Sequence, residues 1–254
     1  NDGRILHTQQ TYNVHFEENR WLNFVRPGLY LWRKTDYEGD VKDTGVRPGL
    51  LFAFQRQTYL NISGFLYNQE KFGGVSFDDA RTIWGYLGTS AFDRVGGSVF
   101  VNRGESINRF GEIGSAHNPF ELVPTFEVSA NLRLKANDQL RAELSFDSTR
   151  LKTGKTDELI VRQRIWRQSV QYQVSRQLFV RLIGEYDQTR RAVDVGQYVS
   201  SRNFSLEPLA SYKLNPFTLL YVGCQIGGRD DPYPSHRGLS RTDQSLFMKF
   251  QYLL

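Results

Sequence analysis

Apolar and polar residues alternate along most of this chain with a period of two. In segment 122–134 the even positions read Leu122, Pro124, Phe126, Val128, Ala130, Leu132 and Leu134, and the odd ones Val123, Thr125, Glu127, Ser129, Asn131 and Arg133. After a turn at 136–138 the pattern resumes with Leu140, Ala142, Leu144 and Phe146 against Arg141, Glu143, Ser145 and Asp147. Segment 177–188 sets Leu178, Val180, Leu182 and Tyr186 against Arg181, Glu185 and Asp187, with Phe179 and Ile183 as exceptions. Segment 203–214 sets Phe204, Leu206, Pro208, Ala210, Tyr212 and Leu214 against Asn203, Ser205, Glu207, Ser211 and Lys213, and segment 217–226 contributes Leu220, Val222, Cys224 and Ile226. Successive side chains of a strand point to opposite faces, so each segment is a strand with one apolar and one wetter face. Helical spacing of 3.6 residues is missing, and β-branched and aromatic residues are frequent. Pro124 and Pro208 fall on the apolar face. Each lacks a ladder donor, which predicts a bulge or a strand end there.

The final segment, 242–254, carries the same pattern to the last residue. Leu246, Met248, Phe250, Tyr252 and Leu254 occupy alternate positions, between Ser245, Phe247, Lys249, Gln251 and Leu253. This looks like the closing strand of an outer-membrane β-barrel, whose apolar face is the signal read by the insertion machinery.

The links between strands predict the same architecture. Short links fall at 17–20, 55–57, 90–93, 136–139, 175–177 and 215–216. Long ones, rich in Gly, Asp, Asn, Ser and Arg, fall near 35–45, 69–79, 103–120, 150–158, 190–201 and 227–241. Alternating tight turns and longer loops is the rhythm of bacterial outer-membrane barrels, with turns periplasmic and loops outside. A periplasmic carboxyl terminus then gives about 13 strands, the first near residues 4–16 also running downward. Closed single-chain barrels have an even number, so the expectation is a carboxyl-terminal portion of a longer protein, complete at about 14 or more strands.

Composition narrows the class. Mean hydropathy is −0.49 over 254 residues, 39% of them hydrophobic, and nothing approaches the roughly 18–20 consecutive apolar residues of a spanning helix. A strand-built membrane protein remains open, since only alternate residues face lipid. Aromatic residues reach 14%, with 13 Tyr and 4 Trp available for interfacial girdles. Eight of the 32 basic residues are Lys, so 24 are Arg, and the net charge is +5. The cations are scattered at strand spacing opposite carboxylates, which argues for a hydrated, charge-paired lumen rather than a nucleic-acid surface. The single Cys224 forms no intrachain disulfide; on the apolar face between Val222 and Ile226 it reads as a small hydrophobe. No secretory leader is visible in the sequence.

Segment 204–223 resembles one family. Leu206, Pro208, Leu209 and Tyr212, then Asn215, Pro216 and Thr218, then Tyr221, Val222 and Gly223 are similar to the carboxyl-terminal domain of the DUF5916 family of bacterial proteins. In that family a strand of the form Leu-x-Pro-Leu-x-x-Tyr leads into Asn-Pro-x-Thr and Tyr-Val-Gly. The run 247–253 resembles the family's final Val-Lys-x-Ser-Tyr-Leu-Phe, with Gln251 in place of Ser and no terminal Arg after Leu254. Segment 175–181 is similar to the family's turn into an Arg-bearing strand. The match covers the last 80 or so residues and touches the first 170 only in general character. The resemblance implies an outer-membrane barrel, preceded in the family by a carbohydrate-binding-like domain, and it implies no established activity.

Catalytic candidates are sparse. His7 and His15 lie on the polar side of the first strand, roughly 26 Å apart, too far to share a site. His117 and His236 fall in long loops, and the loop of His236 also holds Asp230 and Asp231, the elements of a rim hydrolase. Asp36, Glu38 and Asp40 alternate in loop 35–45 but lack the full twelve-residue calcium pattern, so they read as solvated loop acids. The segments Gly111–Gly114 and Gly96-Gly97 do not lead from a strand into a helix and are not phosphate loops. What remains is the inward face: Arg133, Arg141, Arg181 and Lys249 beside Glu127, Glu143, Asp147, Glu185 and Glu207. Two readings attach to it, a salt-bridged lumen, which near-matching charge favours, and a basic-leaning pore.

The sequence therefore predicts an all-β protein of a single domain over residues 1–254, an antiparallel transmembrane β-barrel of the bacterial outer membrane. The expected role is a channel or a membrane anchor for an upstream domain. A closed scaffold of a larger envelope assembly and a rim hydrolase are the alternatives. Expected partners are outer-membrane lipid, the barrel-insertion machinery, and other envelope proteins or polysaccharide. Nucleic acid, metal and cofactor are not expected, nor is enzymatic activity.

Overall fold

The computed structural model describes residues 3–18, 21–111, 120–194, 196–215, 217–230 and 240–252. The described chain is all-β. Its strands are β1 (Arg4–Thr11), β2 (Val14–His15), β3 (Leu22–Thr35), β4 (Val41–Phe54), β5 (Thr58–Gly64), β6 (Tyr67–Phe72), β7 (Val75–Asp78) and β8 (Thr82–Thr89). They continue as β9 (Val95–Ile107), β10 (Leu122–Lys135), β11 (Leu140–Lys152), β12 (Leu159–Gln173), β13 (Leu178–Asp194), β14 (Gln197–Asn215), β15 (Thr218–Asp230) and β16 (Ser240–Tyr252). All sixteen belong to one sheet. Thirteen follow one another along its main path, β1-β3-β4-β5-β8-β9-β10-β11-β12-β13-β14-β15-β16, matching the number expected from the alternation. β2 pairs with β3, and β6 and β7 form an extra hairpin beside β4. The ladders are antiparallel. Expected as a single domain, the chain forms this one sheet and divides into two compact units. The first comprises Asn1–Ala91, Ser98–Val128 and Thr149–Ile160; the second, Phe92–Gly97, Ser129–Ser148 and Val161–Leu254.

The short links after β4, β8, β10 and β12 stand where the sequence puts them, while residues 19–20 and 216, in the links expected at 17–20 and 215–216, lie outside the described residues. Of the long links, 35–45 is shortened because residues 41–45 already belong to β4, residues 112–119 and 231–239 of two others lie outside the described residues, and two differ more. Of residues 190–201, expected as a loop, 190–194 and 197–201 belong to strands: β13 and β14 stay paired from Leu178–Tyr212 up to Asp194–Gln197, with Gly196 at φ +70° and residue 195 outside the described residues. Residues 69–79 hold the β6–β7 hairpin, turning on Gly73 and Gly74 at φ +59° and +81°. Pro208 causes neither a bulge nor a strand end. It sits inside β14 opposite Leu182, and the β14–β15 register is unchanged between Leu206–Ile226 and Leu209–Gly223. The register holds, yet pairing with β15 is interrupted at Glu207 and Pro208, as the missing donor of a proline requires. Pro124, by contrast, is the third residue of β10, near a strand end as expected.

The β4–β5 turn carries local strain. In the three-residue link between the paired Phe54 and Thr58, Arg56 and Gln57 both have φ +54°, a left-handed conformation that Asn and Gly adopt most readily. Replacing them together, Arg56→Asn with Gln57→Gly, is expected to raise unfolding free energy by about 1 kcal/mol. A urea unfolding midpoint that stays put or falls would contradict this.

Apolar burial is sparse. The buried apolar side chains are Ala53, Phe77, Ala80, Ile107, Val123, Leu151, Ile160 and Val161, while the polar Ser63, Asn108, Thr125, Ser211 and Thr218 are buried too. Most large apolar side chains of the long strands instead stand on one exposed face.

Candidate functional site

In the second unit the register assembles that exposed face row by row. Val170 pairs with Leu182, which faces Pro208, and Cys224 pairs with Leu246. In the next row Tyr172, Val180, Ala210, Val222 and Met248 are successive cross-strand partners. Val170, Val180, Leu182 and Val222 are 38–41% exposed, and Leu246 and Met248 are 78% and 75% exposed. Cys224 is half-buried on this face, as expected of a small hydrophobe. Aromatic rows bound the apolar band. Trp166 lies between Phe146 and Tyr186, with ring centroids 5.3 and 5.7 Å away, and Tyr186 pairs with Phe204. Near the short turns stand Tyr172, Tyr212, Phe250 and Tyr252. From the Tyr186 row to the Leu178–Tyr212 row is eight steps of β13. That is roughly 27 Å along the strand at ~3.4 Å per residue, or about 20 Å along the normal for a strand tilted about 40°. Leu254 lies outside the described residues.

The opposite face of this unit is polar, and its partners differ from the expected ones. Among the described residues no ion pair joins Arg133, Arg141, Arg181 or Lys249 to the expected carboxylates. Glu143 accepts from Asn131 Nδ2 at 2.8 Å, Asp147 from the Ser129 hydroxyl, and Glu207 from Gln225 Nε2 at 3.4 Å. Asp187 accepts from Gln163 Nε2 at 3.3 Å. Glu185 does meet a cation, Arg167 at 3.4 Å, a residue the sequence reading leaves out. Arg133, Arg141, Arg181 and Lys249 themselves are exposed. The carboxylates are thus largely held by neutral amides and hydroxyls, a pairing that only the register reveals.

The first unit has two faces of the same kind. Leu29, Leu50, Ile62, Ile83 and Leu87 are 38–59% exposed on one of them. The other carries Arg26, Arg47, Asn61, Ser63 and Asn102 together with several rings. Asn102 Nδ2 donates to Glu127 at 3.1 Å, and Arg26 Nε to Asn13 Oδ1 at 2.6 Å. His7 pairs with Trp32 and His15 with Phe24, so the two imidazoles stand eight residues apart along β3 and share no site.

Asp36 is engaged rather than free. It accepts from Lys42 Nζ at 2.6 Å and from the Asp40 N–H at 2.8 Å, while Asp40 stands 3.7 Å from Lys71. The Lys42 hydrogen bond, ahead of the Asp40 amide, holds the Asp36 carboxyl below the ordinary range of 3.8. A depressed carboxyl stabilises above its unfolded pKa and loses that contribution as pH falls through the lower folded value. The protection of amides in turn 36–42, taken as exchange relative to the intrinsic rate at each pH, is therefore expected to fall on acidification below about 3.8, and Asp36→Asn to show the low protection already at neutral pH. Equal protection in both proteins at neutral pH would refute it. Asp138, likewise lowered, is held by Lys135 at 2.8 Å.

Of the rim acids and histidines, Asp230 stands 3.9 Å from Arg202. His117, Asp231 and His236 lie outside the described residues.

No family model matches the chain, and no curated protein matches it either. Solved structures do. OmpT, an outer membrane protein of Vibrio cholerae, in its in-vitro folded form, aligns over 98% of this chain and 95% of its own, at 9% identity and a TM-score of 0.42. The loop L8 deletion mutant of that protein aligns over 99% of both chains, at 9% identity and a TM-score of 0.43.

Proposed function

We propose that this chain is an outer-membrane β-barrel that acts as a channel for polar solutes, without enzymatic activity. The observation that carries the reading is an exposed apolar face: in each unit large apolar side chains line one exposed face of the sheet, while the polar Ser63, Thr125 and Ser211 are among the few buried residues. In water such a sheet would leave its apolar area unsatisfied. In a bilayer the arrangement is stable, because lipid meets the apolar face and the ladder satisfies the backbone. The aromatic rows flanking the band supply the interfacial girdles. The exposed Leu246, Met248, Phe250 and Tyr252 of β16 fit the insertion signal expected from the sequence.

The polar face favours a channel over a plug. A plug sealed by salt bridges requires Arg133, Arg141, Arg181 and Lys249 to be locked onto carboxylates, and among the described residues they are not. Exposed cations on a hydrated wall attract anions. Reconstituted protein in a planar bilayer is expected to show discrete conductance steps with a reversal potential biased toward the anion. Arg181→Glu with Lys249→Glu is expected to move that potential toward the cation. A silent bilayer, with insertion confirmed by protection from protease, would overturn the channel and leave a closed scaffold or anchor.

A further inference from the structure

On its polar face the first unit carries a connected series of rings. Phe65 lies 5.6 Å from Trp32, and Trp32 is stacked on Tyr30 at 5.5 Å. The Arg47 guanidinium lies 4.8 Å from the Tyr30 ring and 5.9 Å from Trp84, whose ring is 6.0 Å from Phe100. The series runs from β3 to β9, across four neighbouring-strand spacings. That is roughly 19 Å, the length of several linked pyranose rings.

Three features make the series a platform. Trp32 is the cross-strand partner of Gly45, and any Cβ at Gly45 would collide with the indole six-membered ring, so the ring lies flat against bare backbone. Its Nε1 donates to Asp43 Oδ1 at 2.7 Å, which fixes the ring's direction in that plane. Arg47, the cross-strand partner of Tyr30, sets planar donors among the rings. All six side chains are only partly buried. Rings on a face otherwise lined by Arg26, Asn61 and Asn102 leave apolar area beside water, which a ligand with both apolar and hydroxyl surfaces would cover.

We propose that this series is a binding track for oligosaccharides. The face of a sugar ring is a patch of C–H bonds carrying partial positive charge, which meets the negative face of an aromatic ring. Its rim of hydroxyls takes hydrogen bonds from Arg47 and neighbouring amides. The track deepens the channel reading by naming a solute class, and its placement on the wall of a passage rests on that reading.

Binding is tested separately from passage, on full-length protein in detergent. The probes are maltohexaose, chitohexaose and hexagalacturonate, read by tryptophan emission and by isothermal titration. At least one hexasaccharide is expected to bind saturably. Trp32→Ala and Trp84→Ala are each expected to weaken it about tenfold. Gly45→Val, which displaces the Trp32 ring, should do the same, Trp84→Phe should retain most of the affinity, and Trp166→Phe on the apolar face should leave it unchanged. Folding of each variant is confirmed by heat-modifiable migration. Binding by none of the three probes, or wild-type affinity in folded Trp32→Ala and Trp84→Ala, overturns the track. Binding in a protein that does not conduct would keep the track and remove the channel; conductance without binding would do the reverse.

Discussion

Leu182→Arg is expected to lower the unfolding free energy in lipid vesicles by about 2–4 kcal/mol, the cost of a cation near the middle of a bilayer. Leu182 sits mid-band in β13, between Val170 of β12 and Pro208 of β14. It is 40% exposed. For a water-soluble sheet that exposure would make the change nearly neutral, because surface substitutions there usually fall within about ±0.5 kcal/mol. The control is the next residue. Ile183 points to the opposite face, pairing with Ser169 and Glu207, so Ile183→Arg brings a cation to a carboxylate and is expected to shift stability by less than about 1 kcal/mol. Urea titration of both variants in vesicles decides the matter. Equal losses, or a larger loss for Ile183→Arg, would mean that the apolar face of the sheet is not the lipid face.

The second large effect is expected at Gly228. Its cross-strand partner is Phe204, which extends the row of Trp166 and Tyr186. The ring lies so close over the glycine that a Cβ there would fall within its envelope. Gly228→Val must therefore push Phe204 out of the aromatic row, and it is expected to cost about 1–3 kcal/mol, as overpacking does. Because the two residues share one contact, Phe204→Ala with Gly228→Val is expected to cost clearly less than the sum of the single changes. Additive losses would show that the ring does not rest on the glycine. The same device recurs at Gly223, where a Cβ would stand 2.7 Å from the Phe247 ring, and at Gly45 under Trp32.

Loop-like composition does not end a strand. Segment 190–201, with Arg190, Arg191, Asp194, Gly196 and Gln197, reads as a loop, yet residues 190–194 and 197–201 belong to paired strands, with Arg190 opposite Ser200 and Ala192 opposite Tyr198. Hydrogen bonding between strands does not require apolar side chains, so strands run on past the apolar band. The β6–β7 hairpin lies in another such segment, and its sequence signal is the Gly73-Gly74 turn between Phe72 and Val75.

The sequence by itself determined which side chains share a face. Alternation is a property of a single strand, so Val180 and Leu182 are separated from Arg181 and Glu185 before any neighbour is known. It determined the all-β class, the short turns and the thirteen strands of the main path for the same reason. Only the tertiary structure decided who meets whom. A slip of two residues keeps every face intact but exchanges every partner, so period-two patterning cannot distinguish Glu143–Asn131 from an Arg-paired alternative, or place Trp32 over Gly45. Those meetings are set by register, and register is fixed by turn geometry and packing between strands far apart in the chain.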